Sequence, residues 1–273
     1  MHRIGLVEHA AQHSDHADAP VRTGFNKYGL FTTMIAALVH DCDHPGTNND
    51  FEVKSSSRLA LLYNDNSVLE NHHLALAFNV LLDEQYNVFG RWSEETRRKT
   101  RKVITDAVLS TDMACHKSLQ FMLQARSANA QPFDLANFDD RMDLVRIILH
   151  TADIFNAARP QHISSRISKL ICEEFRLQVA KERLQGLKVT EWMDVTDRLA
   201  ECKGELGFTK FVCRSYFQAL AACFPGNSQL DFVGAIDANI SYWQGRITAL
   251  ESKSQTLSSD SDEDAEGVEG LSF

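Results

Sequence analysis

The sequence predicts an all-α protein. Three observations do so: apolar residues recur at three-to-four spacing over long stretches, prolines fall between those stretches, and no alternating strand pair joined by a hairpin turn is present. Ser93, followed by Glu94 and Glu95, reads as the capped start of a helix through Leu109. Residues 139–156 place Met142, Val145, Ile148, Ala152 and Phe155 on one helical stripe. Residues 162–178 repeat it with Ile163, Ile167, Leu170, Ile171 and Phe175, and residues 232–250 with Phe232, Ile236, Ile240, Trp243, Ile247 and Leu250. Pro132, Pro160 and Pro225 separate these segments.

At 273 residues and 44% hydrophobic content, the chain can bury a sizeable core as one large or two small domains. Residues 1–24, with His2, His9, His13 and His16 among small and polar residues, read as a poorly ordered lead-in, and residues 25–252 as the folded domain. Residues 253–273, rich in serine and acid, read as a disordered tail. Ser259 and Ser261, each with an acid three residues on, suit an acid-directed kinase or are merely solvated. The net charge is −9, and six of those charges come from residues 258–273, so the body is nearly balanced and no basic face argues for nucleic acid. Six scattered cysteines without a Cys-x-x-Cys pair suit reduced thiols of a cytoplasmic protein. There is no signal-peptide pattern, and no apolar run is long enough to span a membrane.

Residues 38–51 read Leu-Val-His-Asp-Cys-Asp-His-Pro-Gly-Thr-Asn-Asn-Asp-Phe. His40 and Asp41 offer a divalent metal an imidazole and a carboxylate. Neighbours on a continuous helix point about 100° apart, so both serve one ion only near a helix end. The apolar run Met34 to Val39 suggests a buried helix, and Pro45-Gly46 supplies the break after it. Asp153 falls in another apolar helix pattern, where a buried carboxylate requires hydrogen bonds or a cation.

Several strings together carry a likeness to a known family. They are His40-Asp41-Cys42-Asp43-His44-Pro45-Gly46 with Asn49 and Phe51; Leu59 to Asp65; Ser67-Val68-Leu69-Glu70-Asn71-His72-His73-Leu74-Ala75; Thr111-Asp112-Met113; and Thr151-Ala152-Asp153. Over roughly residues 26–250 the chain resembles the catalytic domain of class I cyclic nucleotide phosphodiesterases, among the HD-type metal hydrolases. The resemblance implies a compact multi-helix domain hydrolysing cAMP or cGMP to 5′-monophosphates in signalling. It implies two divalent ions, zinc plus magnesium or manganese. His40, Asp41 and Asp153 would ligate the first, with Asp41 bridging to the second. His44, Glu70 and Thr111 would lie around the second ion's water shell, although Glu70 also fits a helix cap. Ile171 and Phe208 would clamp the base, Asn156 would help select it, and Glu174 would orient a general-acid histidine. Without the resemblance, Ile171 and Phe208 read as core and Glu174 as a solvated helix residue.

The pattern departs in three places. The family's upstream His-Asn-x-x-His-Ala element has no match in these 273 residues, so the domain is expected to be N-terminally incomplete. Glu205 stands where the family has a glutamine, and an ionised carboxylate only accepts hydrogen bonds. Phe155 replaces a small polar residue near Asp153 and is expected to crowd the pocket. The alternative is therefore a catalytically weak or inactive module that binds a nucleotide or partner without turnover.

Overall fold

The computed structural model describes residues 27–224 and 232–266, and no strand occurs among them. Eleven helices follow in order: α1 (Lys27–Val39), α2 (Asn49–Lys54), α3 (Arg58–Tyr63), α4 (Val68–Leu81), α5 (Glu94–Leu109), α6 (His116–Ala128), α7 (Phe138–Asp153), α8 (Gln161–Leu184), α9 (Arg198–Gly207), α10 (Arg214–Ala222) and α11 (Phe232–Glu266). Their starts follow from local chemistry. Side chains of Asn48, Ser57, Ser93, Asn137 and Asp197 accept from the first free backbone amides of α2, α3, α5, α7 and α9.

Helix α7 is the centre of the molecule. Its Leu144, Val145 and Leu149 pack with Ala36, Val39, Leu74, Phe78, Ile104 and Val108 of α1, α4 and α5. Its Ile147 joins the second cluster, with Leu119, Leu123, Tyr216, Phe217, Phe232 and Ile236 of α6, α10 and α11. A helix buried on most of its circumference must pair its polar groups. His150 does so with His116 of α6 at 3.0 Å, and burial lowers its imidazole pKa to about 4. The 3₁₀ turn Ile154–Ala158 after α7 is held by Asn239 of α11, whose amide donates to the carbonyls of Ala157 and Arg159 at 2.9 Å. The end of α7, and Asp153 with it, is thereby fixed.

Two expected faces differ. On α8 the apolar stripe does not face the core: Leu170 is 67% exposed and Ile163 36%, whereas Ser164, Ser168, Cys172 and Val179 are buried. Small side chains let the helix approach its neighbours closely, and the bulky ones border open space. On α1, Ala36 and Val39 are buried but Met34 and Leu38 are exposed, because only one face meets α5 and α7. The lead-in 1–24 lies outside the described residues. Helix α11 runs on to Glu266, into the stretch that composition assigns to a disordered tail, and residues 267–273 lie outside the description. Helical hydrogen bonds are local, so a helix can continue past its last packed turn.

One buried polar network seats the segment after α1. Glu182 of α8 is fully buried and pairs with Lys54 of α2 at 2.8 Å. It also accepts from the Thr190 amide at 2.7 Å, from the Thr190 hydroxyl at 2.8 Å and from Gln178 at 2.9 Å. Gln178 in turn accepts from the backbone amide of Asn48 at 2.8 Å. Burial pushes the Glu182 carboxyl up, but the Lys54 ammonium and the donors from Thr190 and Gln178 outweigh it and hold the pKa at about 2. Removing one partner of such a pair strands the other. Lys54→Ala is expected to lower stability by roughly 3 kcal/mol in urea denaturation at pH 7. The folded carboxyl titrates below its ordinary 4.5, so this stabilisation is complete above that value and vanishes as pH falls toward 2. The gap between wild type and variant should close over that interval.

Candidate functional site

Helix α1 ends at Val39, and the next residues turn away from its axis through hydrogen bonds from Cys42 to Val39 at 3.1 Å and from His44 to Asp41 at 3.2 Å. Leaving the helix lets consecutive side chains face one point. His40 Nδ1 donates to the carbonyl of Ala37 at 2.9 Å, which turns Nε2 outward. That atom lies 3.2 Å from Asp41 Oδ2 and 3.5 Å from Asp153 Oδ1, at the C-terminal end of α7. Donor atoms of His40, Asp41 and Asp153 all fall within 4.8 Å of one another.

Two carboxylates on one imidazole make a strongly negative site. Asp153 first and Asp41 second hold the His40 imidazolium, raising its pKa to about 10, while His40 holds Asp41 below the usual carboxylate range. With the imidazole neutral, one nitrogen and two carboxylates carry a charge of −2, a donor set that suits a divalent cation. The residues therefore fit the metal the resemblance implies.

The other expected residues divide. Glu70, in the first turn of α4, accepts from the Asn49 amide at 3.0 Å, and burial raises its carboxyl to about 7. Asn49 also accepts from the Leu69 amide at 2.9 Å, so it fixes both the helix start and the Glu70 carboxylate. His44 Nδ1 accepts from the Gly46 amide at 3.1 Å, and its ring stacks on His73 at 5.7 Å. Gly46 has φ +68°, which glycine adopts without strain. Thr111 is buried and donates to Val108 at 2.7 Å, so its hydroxyl proton is committed and its lone pairs remain. Glu174 is exposed beside Gly46, with no side-chain hydrogen bond or ion pair among the described residues, which suits the solvated reading.

A second group lies on the 3₁₀ turn after α7, on α8, and on α9 with the π-helical turn that follows it. Asn156 donates to the Ser164 carbonyl at 3.5 Å, Ser168 donates to the same carbonyl at 3.0 Å, and the Ser168 hydroxyl reaches Glu205. Burial raises the Glu205 carboxyl above its ordinary range, partly offset by Ser168. Glu201, one turn before Glu205, ties α9 to α8 through Arg176 at 2.5 Å and also pairs with Arg198. Ile171 is half-buried, and Phe208, which opens the π-helical turn Phe208–Cys213, is 38% exposed. Neither is sealed in the core. Phe155 does not take the crowding position expected of it: its ring packs on Phe217 at 6.1 Å and Phe232 at 5.1 Å.

Sequence reasoning missed His72 and His73 as contacts of the first group. His73 donates to the Cys42 carbonyl at 2.6 Å, and His72 pairs with Asp43 at 2.8 Å. The adjacent histidines in Glu70-Asn71-His72-His73 were the available signal, but nothing in their spacing names the loop they meet.

The domain is all-helical, with an acidic, histidine-bearing cluster where two helix ends meet. The chain belongs to the 3′5′-cyclic nucleotide phosphodiesterase family, whose model matches residues 13–232. It is 36% identical over 230 residues to a 3′,5′-cyclic-AMP phosphodiesterase, isoform F, of Drosophila melanogaster, covering 80% of this chain and 34% of that one. It is 32% identical over 241 residues to 3′,5′-cyclic-AMP phosphodiesterase 4C of Mus musculus, covering 86% of this chain and 34% of that one. The chain thus spans about a third of the length of these curated relatives. Among solved structures it is similar to the phosphodiesterase domain of a Salpingoeca rosetta rhodopsin phosphodiesterase, with TM-score 0.80 and 37% identity over 84% of this chain and 69% of that one. No helix among the described residues is long and apolar enough to cross a membrane.

Asp153→Asn is expected to weaken divalent cation binding by about tenfold or more, read by calorimetric titration with zinc. Proton and cation compete for His40 Nε2. Because that imidazole titrates near 10 in the ion-free protein, apparent affinity should fall as pH drops below 10, with proton release on binding.

Proposed function

We propose that the chain is a metal-dependent phosphodiesterase domain that hydrolyses 3′,5′-cyclic nucleotides, cAMP or cGMP, to 5′-monophosphates. The observation that carries this reading is the convergence of His40, Asp41 and Asp153 within 4.8 Å in a chain of this family. These residues would hold the first of two divalent ions, zinc, and Asp41 with the shell of His44, Glu70 and Thr111 would hold magnesium or manganese. Such ions, when bound, lower the pKa of water and offset negative charge on the phosphorus centre.

The protein's own residues supply the rest. A water oxygen forms a bond to phosphorus and gives up its proton, the bond from phosphorus to the 3′ oxygen breaks, and that oxygen takes its proton from solvent, the general-acid histidine having no match in this sequence. Glu70, with a carboxyl near 7 and the Asn49 amide fixing it, suits the acceptor of the water's proton. Asn156, Ile171, Glu205 and Phe208 border the nucleotide base. A protonated Glu205 carboxyl both donates and accepts, as a glutamine amide does, and the burial that raises it favours that form.

Turnover of cAMP and cGMP with zinc and magnesium, lost on chelation and reduced at least a hundredfold in Asp153→Ala, is the expected result. Hydrolysis unchanged by that substitution would remove the assignment. Glu205→Gln is expected to lower KM severalfold at alkaline pH with little change in kcat, and to abolish a rise in wild-type KM with pH. The sign follows from the raised carboxyl, which loses its donor as pH increases.

Glu205 itself favours a second reading, a module that binds nucleotide without turnover. Saturable cyclic nucleotide binding by calorimetry, with no product formed in the presence of both ions, would select it.

A further inference from the structure

The turn that carries Asp41 is gripped from outside by two consecutive residues of α4. His73 is 1% exposed, and its Nδ1 lies 2.6 Å from the Cys42 carbonyl. A carbonyl oxygen only accepts, so Nδ1 carries the proton. In the neutral ring Nε2 then presents a lone pair, 3.9 Å from Asp41 Oδ1. The face of the same ring stacks on His44 at 5.7 Å with an interplanar angle of 26°. The His72 ring lies tilted beside that of His73 at 6.0 Å and pairs with Asp43 at 2.8 Å. Asp43 has φ 62°, a left-handed conformation that costs about 1 kcal/mol or more in a non-glycine residue.

We propose that His72 and His73 are positioning residues: together they clamp residues 42–44 and thereby fix the direction of the Asp41 carboxylate. This rests on the metal-site reading above. The far end of the segment is anchored independently, where Gln178 accepts from the Asn48 amide at 2.8 Å. The near end has only two backbone turn bonds of its own, from Cys42 to Val39 and from His44 to Asp41. Asp41 lies just beyond the last turn of α1, so its backbone follows the turn that the α4 histidines hold at Cys42 and Asp43. His73 suits the task because one small ring supplies a buried donor to the backbone and a flat face for His44. His72 offsets the strained backbone at Asp43.

The test separates donor from filler. Asparagine places its amide donor near the Nδ1 position, and glutamine places it near Nε2. The wild-type chain, His73→Asn, His73→Gln and His72→Ala would be compared in two ways. One is Mn²⁺ titration followed by electron paramagnetic resonance. The other is amide hydrogen exchange of residues 42–46 in metal-free protein, with amides of α7 and α10 as an internal reference. His73→Asn should stay within about threefold of wild-type Mn²⁺ affinity, with loop exchange unchanged. His73→Gln should lose about tenfold to a hundredfold, the usual effect of removing an orienting partner, and its loop amides should exchange faster while the reference amides do not. His72→Ala should accelerate loop exchange in the same way, and it substitutes for His73→Gln if that variant does not fold. Equal Mn²⁺ affinity and equal loop exchange in the two His73 variants, or unchanged exchange in His72→Ala, would overturn the clamp. Wild type that binds no Mn²⁺ would defeat the metal reading instead, and the metal-free exchange comparison would still decide the clamp.

Discussion

Two carboxylates and an imidazole held within a few ångströms of one another are electrostatically unfinished. Asp41 and Asp153 both face His40 Nε2, and the cluster is balanced either by a proton on that ring or by a cation. Much of the architecture serves to keep this arrangement from relaxing. Asp153 ends a helix shared by both core clusters, Asn239 pins the turn after it, and the Ala37 carbonyl accepts from the His40 ring. His40 and Asp153 are thus held by different elements, while the Asp41 and Asp153 carboxylates remain exposed.

The segment between α1 and α2 shows how such restraint is distributed. It cannot be helical, because His40 and Asp41 must share a focus and Pro45-Gly46 follows. Its polar groups are instead satisfied by distant partners: Gln178 of α8, itself held by Glu182, at one end, and His72 and His73 of α4 at the other. Glu182 is the costlier of these, a fully buried carboxylate, and it persists because Lys54, Thr190 and Gln178 surround it. Helix α8 therefore serves two purposes. Its small buried face packs closely, and its Ser164 and Ser168 link Asn156 to Glu205 of α9.

Helix starts were legible in the sequence wherever a cap preceded a periodic run, as at Ser93, because capping and periodicity are local. The facing of α8 was not. Its apolar residues have the right spacing for a core stripe, yet the core takes Ser164, Ser168 and Cys172, since inter-helix distance depends on what the neighbours bring. Phe155 likewise turned toward Phe217 and Phe232 rather than the site, a choice set by the cavity those rings offer.

By itself the sequence determined the all-α class, the helix caps and breaks, and which residue types could hold a cation, because propensity, turn chemistry and donor identity are properties of short stretches. Only the tertiary structure decided that Asp153 meets a histidine more than a hundred positions earlier, that His73 holds the Cys42 carbonyl, and that Glu205 is raised by burial. Those facts depend on distance through space and on exclusion from water, which no local pattern encodes.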